Sequence, residues 1–197
     1  MIGICDYGMG NRRSVVKAFE RVGAAVRMTD DLETLQAADA LVVPGVGAFP
    51  QAMDELRARR LDKLVQRRDA DGVPVLGICL GMQLLFDSSD EHDGATGLGL
   101  LPGTVRYLRA PKLPHIGWNL VSWERDSPLN EGLGGPRAFY HVHSLAPETD
   151  AVLGWGEYGE RFATVVGRDN VFGVQFHPEK SSADGLALLE NFTRLAA

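Results

Sequence analysis

Short apolar runs alternate with stretches of helical periodicity through the first half of the chain. Residues 2–5, 24–28, 40–43 and 73–78 are compact apolar runs of the length of buried strands. Between the first two, Val15, Val16, Phe19 and Val22 recur at helical spacing behind Asn11, which predicts a helix with Asn11 as its N-cap. Between the third and fourth, Met53, Leu56, Leu61, Leu64 and Val65 predict helix, interrupted by charge. Strands separated by crossover helices give a doubly wound α/β arrangement with parallel pairing.

The texture changes after Gly94, where Gly and Pro become frequent and the apolar runs shorten. Residues 105–108, 139–142 and 152–155 predict strands between turns. Residues 162–166 and 171–176 flank Gly167-Arg168-Asp169-Asn170 and predict an antiparallel hairpin with a loop of several residues. A last helix is expected over residues 183–195, with Leu186, Leu189 and Phe192 among its members. Neither a repeat nor a linker divides the sequence, so one domain over residues 1–197 is expected.

Composition narrows the function classes. The chain has 197 residues, 45% of them hydrophobic, enough for one sizeable core, and a formal net charge of -6 that gives no footprint for a phosphate backbone. The start, MIGICDYGMG, lacks the basic and apolar segments of a signal peptide, and no apolar run approaches the roughly 18 residues of a membrane span. A soluble cytoplasmic protein with reduced thiols is expected, leaving its two cysteines, Cys5 and Cys79, free for chemistry.

Gly77-Ile78-Cys79-Leu80-Gly81 closes the strand at 73–78 and opens a helix expected to run through Gln83, Leu84, Leu85 and Phe86. A Gly-x-nucleophile-x-Gly turn between strand and helix holds its central residue in a strained, exposed conformation, and the glycines relieve crowding. Here cysteine is that central residue. The helix start favours a thiolate and offers the Leu80 N–H to a developing oxyanion. A thiolate needs a base, and among His92, His115, His141, His143 and His177 the last stands out in His177-Pro178-Glu179. Proline keeps the segment extended, and residues two apart then share a side, so Glu179 can orient the His177 ring. Pro44-Gly45-Val46-Gly47, directly after the strand at 40–43, is placed to supply a second oxyanion donor, although an ordinary strand-to-helix turn has the same composition. His141-Val142-His143 could set two imidazoles on one strand face, but nothing nearby completes a zinc ligand set, and neither metal nor cofactor is expected. Cys5 reads as a core residue and His92 as a solvated loop residue.

Gly-Ile-Cys-Leu-Gly-Met-Gln at 77–83 together with His177-Pro-Glu179 resembles the class I glutamine amidotransferases, along essentially the whole chain. Within that class, Asp6-Tyr-Gly-Met-Gly-Asn11, Pro44-Gly-Val-Gly-Ala-Phe49, Pro114-His-Ile-Gly-Trp-Asn119 and His177-Pro-Glu-Lys-Ser181 are similar to the glutaminase subunits of imidazole glycerol phosphate synthases. The resemblance implies a three-layer α/β fold, with a mostly parallel central sheet, flanking helices and an antiparallel C-terminal extension. It implies Cys79 as nucleophile, His177 and Glu179 as its partners, Val46 and Leu80 N–H groups at the oxyanion, and Gly47, Gln83, His143 and Ser144 at the glutamine. It further implies a cyclase subunit as heterodimeric partner, docked near Asn11, Arg13, Trp118, Asn119 and Lys180, to which ammonia passes in histidine biosynthesis. Arg12, Leu145-Ala146 and Ser182 depart from the usual pattern, so docking detail is where differences are expected. Other glutaminases of the class, a cysteine peptidase or chaperone-like α/β protein, and a noncatalytic binding module remain as alternatives at this stage.

Overall fold

The computed structural model describes residues 1–196, apart from the side chain of Arg12. The strands are β1 (Ile2–Cys5), β2 (Val26–Thr29), β3 (Ala40–Gly45), β4 (Val75–Cys79), β5 (Phe86–Ser89), β6 (Ala95–Thr96), β7 (Leu101–Tyr107), β8 (His115–Trp123), β9 (Arg137–His143), β10 (Leu145–Glu148), β11 (Val152–Tyr158), β12 (Glu160–Arg168) and β13 (Val171–Val174). The helices are α1 (Arg12–Arg21), α2 (Leu32–Gln36), α3 (Phe49–Ala58), α4 (Leu61–Ala70), α5 (Leu80–Leu84) and α6 (Ser182–Leu195). Nine strands form the main sheet in the order β2-β1-β3-β4-β13-β12-β11-β8-β9, and a smaller sheet has the order β10-β7-β5-β6. From β2 to β13 neighbouring strands run parallel, and from β13 to β9 antiparallel. This is the mixed α/β architecture expected from the sequence.

Alternation along the parallel strands sorts side chains into two cores. Ile2, Ile4, Val42, Leu76 and Ile78 pack with Val15 and Phe19 of α1 and with Leu188, Leu189 and Phe192 of α6. Leu41, Val43 and Val75 face the other way, toward Met53 and Leu56 of α3, Leu64 and Val65 of α4, and Leu101 and Val105 of the smaller sheet. The main sheet, apolar on both faces, is thus buried between two layers, as parallel strands require. Among the described residues no helix is long and apolar enough to cross a membrane.

Several boundaries differ from the sequence expectation. The helix expected through Met53 and Val65 is two helices, broken where Arg60 takes φ 60, a left-handed conformation that cannot continue a helix. The helix after Cys79 stops at Leu84 instead of including Phe86. Leu98 N–H donates to Leu84 O at 2.9 Å and Leu100 N–H to Leu85 O at 2.8 Å, drawing the chain into β5. Pro44 and Gly45 still belong to β3: pairing with β1 ends at Val42, so the missing Pro44 N–H interrupts no ladder there. The β12–β13 connection is tighter than expected, with Arg168 paired to Val171 and Asp169 at φ 51. Asn11 stands at the start of α1 but makes no side-chain cap.

Candidate active site

The elbow forms where β4 meets α5. Cys79 lies at φ 56, ψ -114, outside the regions a side chain normally allows, and its neighbours hold it there. A Cβ on Gly77 would overlap Met82 and the Gly81 carbonyl, and one on Gly81 would overlap the Val43 carbonyl of β3, so the turn packs backbone against backbone. Gly45 pairs with Cys79 across β3 and β4, which brings Val46 and Gly47 (φ 104) beside the sulfur. Leu80, as first residue of α5, carries one of the N–H groups a helix leaves unpaired. The helix is only one turn long, which limits the dipole contribution anticipated from the sequence.

His177 follows β13, the strand paired parallel to β4, so the imidazole and sulfur emerge from adjacent strand ends. Its N–H donates to Tyr140 O at 2.9 Å, and the Ser181 hydroxyl donates to His177 O at 2.7 Å while accepting the Tyr140 N–H at 2.9 Å. Ser181 therefore staples β9 to the His-Pro-Glu segment. His177 Nδ1 donates to Glu179 Oε1 at 2.9 Å, with the Glu179 side chain fully buried. Burial alone would lower the His177 pKa. The hydrogen bond with Cys79, then that with Glu179, outweighs burial and raises it to about 9, so the ring is an imidazolium at neutral pH. The three residues expected to act together are brought together.

Cys79 and His177 open into one cleft of about 240 Å³, lined also by Val46, Gly47, Leu80, Gln83, His143 and Ser144, all singled out from the sequence. Glu91, Pro114, Val142 and Leu145 complete it, and none of them was assigned to the glutamine site from the sequence. Glu91 is the one carboxylate of this lining, fixed by a 2.6 Å bond from Phe49 N–H to its Oε2. Its signal in the sequence, one acidic residue in an acidic loop, was indistinguishable from solvated charge.

The remaining candidates separate. Cys5 is buried and its thiol is pushed up to about 12 by desolvation, an unreactive core residue as expected, and no disulfide links it to Cys79. His92 is exposed. His141 and His143 do share a face, but His141 bonds Phe139 O and Thr164 Oγ1 while His143 bonds Leu145 O and His115. Trp118 is 54% exposed, its ring set edge-on to Tyr140, over which Lys180 Nζ lies 5.9 Å away. Asn11 Nδ2 reaches Glu179 Oε1 at 3.5 Å, and Arg13 is exposed on α1. Asn119 departs from this group: it alternates with Trp118 and bonds inward to His115 and Glu157 O. The Arg12 side chain lies outside the described residues.

Residues 3–195 match the family model for glutamine amidotransferase class-I. The chain is 49% identical over 206 residues to the imidazole glycerol phosphate synthase subunit HisH of Salinibacter ruber, covering 99% of this chain and 94% of that protein. It is 46% identical over 198 residues to the HisH subunit of Methanocaldococcus jannaschii, covering 99% and 100% of the two chains. Among solved structures, a glutamine amidotransferase superimposes with a TM-score of 0.79 at 22% identity over 99% of this chain and 98% of the other, a likeness of fold. Matched by a family model along nearly its whole length and by relatives near half-identical from end to end, the chain belongs to the class-I glutamine amidotransferases, among the HisH subunits of imidazole glycerol phosphate synthase.

Proposed function

We propose that the cleft hydrolyses glutamine to glutamate and ammonia through a thioester on Cys79. The reading rests on one observation: sulfur and imidazole line the same small cleft, with the imidazole held by a buried carboxylate. The Cys79 sulfur attacks the side-chain amide carbon, and the oxyanion forms against the Val46 and Leu80 N–H groups. The His177 imidazolium gives its proton to the departing nitrogen, which leaves as ammonia. The now neutral ring takes a proton from water as that water attacks the thioester, and glutamate leaves with the sulfur restored. Glu179 keeps Nδ1 protonated, so that Nε2 faces the reaction throughout. Gly47, Gln83, His143 and Ser144 contact the substrate.

A free amino acid carries an α-ammonium group, and Glu91 is the carboxylate placed to take it. Glu91→Gln keeps an acceptor for Phe49 N–H but removes the charge. Its expected effect is a KM for glutamine raised about tenfold or more with kcat changed far less, the scale of a lost charged hydrogen bond. An unchanged KM in steady-state assays would remove Glu91 from the binding site.

Ammonia is then delivered to a cyclase subunit of the synthase in histidine biosynthesis. The face carrying Ile116 (60% exposed), Trp118 and Leu120 (61% exposed) on β8, together with Tyr140, Lys180, Asn11 and Arg13, supports docking beside His177. A free thiol at Cys79 fits the reducing cytoplasm. A glutamine-like chloroketone tests the chemistry: with the cyclase present, peptide mass spectrometry should find one adduct, on Cys79. Modification of Cys5, or none with the fold intact, would refute the assignment, and turnover of peptides but not glutamine would favour a peptidase.

A further inference from the structure

A run of hydrogen bonds crosses from the antiparallel strands to the cleft, and its ends fix every proton along it. Glu157 O can only accept, so the side-chain atom of Asn119 at 2.9 Å from it is the amide nitrogen. That same nitrogen lies 3.3 Å from His115 Nε2, which must therefore be bare. Burial lowers the pKa of His115 and takes that of His143 down to about 4, so both rings are neutral at neutral pH and each carries a single N–H. The His115 proton is then on Nδ1, which donates at 3.0 Å to His143 Nε2. His143 in turn carries its proton on Nδ1 and donates at 2.8 Å to Leu145 O. Leu145 O also accepts from Gln83 Nε2 at 3.2 Å, and the same nitrogen donates to Gln175 Oε1 at 3.0 Å. Gln175 Nε2 finishes the run 4.0 Å from the Cys79 sulfur.

We infer that His115 is a positioning residue for glutamine cleavage, pinning the ring of His143 through its Nε2 and thereby aligning Leu145, Gln83 and Gln175 around Cys79. This rests on the amidase reading of the cleft. Without the Nδ1–H donor of His115, His143 keeps its proton on Nδ1, because the Leu145 carbonyl can only accept, but its Nε2 is left buried and unpaired and the ring is held at one end alone. The wall formed by His143, Ser144 and Leu145 shifts, and Gln83 loses an anchor. With both Nε2 hydrogens engaged, Gln83 has only Oε1 to offer, an acceptor for a substrate N–H. Packing alone does not call for histidine at 115, since the ring lies stacked on Tyr158 with centroids 4.1 Å apart, a contact phenylalanine also makes.

The test compares His115→Phe, which keeps the stacked ring and removes both nitrogens, with His115→Asn, whose amide nitrogen stands close to the position of Nδ1. Histidine-selective 15N spectra of the full chain should show His143 Nε2 as a hydrogen-bonded acceptor in the parent and in His115→Asn, and shifted downfield to the position of a bare, unbonded imidazole nitrogen in His115→Phe. In complex with the cyclase, His115→Phe should raise the glutamine KM about fivefold to tenfold, the scale of a lost buried hydrogen bond, while His115→Asn stays near the parent. An unchanged His143 Nε2 shift in His115→Phe overturns the inference whatever the activity. A changed shift with unchanged KM overturns its link to substrate. Absence of glutamine turnover in the parent complex would defeat the amidase reading, and the spectra would still decide whether residue 115 holds His143.

Discussion

Cys79→Ala is expected to lower glutamine turnover by about 10⁴-fold or more, since loss of a nucleophile removes the covalent route and leaves only binding and oxyanion contacts. The fold should survive. Besides His177 the sulfur has loose partners, Val142 O at 3.8 Å and Gln175 Nε2 at 4.0 Å, and His177 keeps its bond to Glu179, so little packing is lost on removing it. The His177 pKa should fall from its value of about 9, because the Cys79 hydrogen bond is the larger of the causes raising it. Alanine keeps the Cβ and with it the unfavourable backbone at φ 56, ψ -114, whereas glycine adopts that conformation without a clash. Cys79→Gly is therefore expected to be equally inactive but about 1–2 kcal/mol more stable than Cys79→Ala, the strain of one residue held in a sparse region. Denaturant titration of the pair measures the difference. Equal stabilities would mean that the elbow stores no strain, and residual turnover above about one part in 10³ would mean that another group attacks the amide.

The parts of this site legible in the sequence are those set by neighbours along the chain. Cys79 was recognisable because a nucleophile turned out between strand and helix needs glycine on both sides, and those glycines are two residues away. Glu179 was expected beside the His177 ring, but by the wrong route: the sequence suggested a segment held extended by proline, whereas Pro178–Lys180 forms a turn of 3-10 helix closed by Lys180 N–H on His177 O, and that turn brings the carboxylate back to the ring. What stayed hidden depends on distant partners. β8 was not read as a strand because its pattern is inverted: Ile116, Trp118 and Leu120 face outward while Gly117 and Asn119 lie on the inner side. An outward apolar stripe obeys the needs of an interface, which a single chain's periodicity does not reveal. α2 has five residues, too few to show a period, and β10 and β6 are shorter still. Asn11 was read as a helix cap, but its amide instead reaches Glu179, 168 residues on. Glu91 and the His115–His143 bond likewise exist only once the smaller sheet and the antiparallel strands have closed over the cleft.

Gly81→Ala is expected to be the most damaging exchange of a single hydrogen for a methyl group. The new Cβ would fall far inside 3.0 Å of the Val43 carbonyl oxygen and would also crowd the Val43 carbonyl carbon. These are backbone atoms of a central strand, so no rotamer change relieves the overlap. Either β3 separates from the elbow or the first turn of α5 unwinds, and both routes move Leu80 N–H away from Val46. A loss of about 4 kcal/mol or more is expected, which for a domain of this size lowers the thermal midpoint by about 8–16 °C. Activity should fall even below that midpoint, because a displacement of about 1 Å at the nucleophile is enough to lose near-attack geometry. Gly135→Ala provides the contrast: nothing lies within 4 Å of its added Cβ and its φ is not in the left-handed region, so it should change stability by less than about 0.5 kcal/mol. If calorimetry gave the two variants similar midpoints, the close packing of the elbow against β3 would not be what holds Cys79 in place.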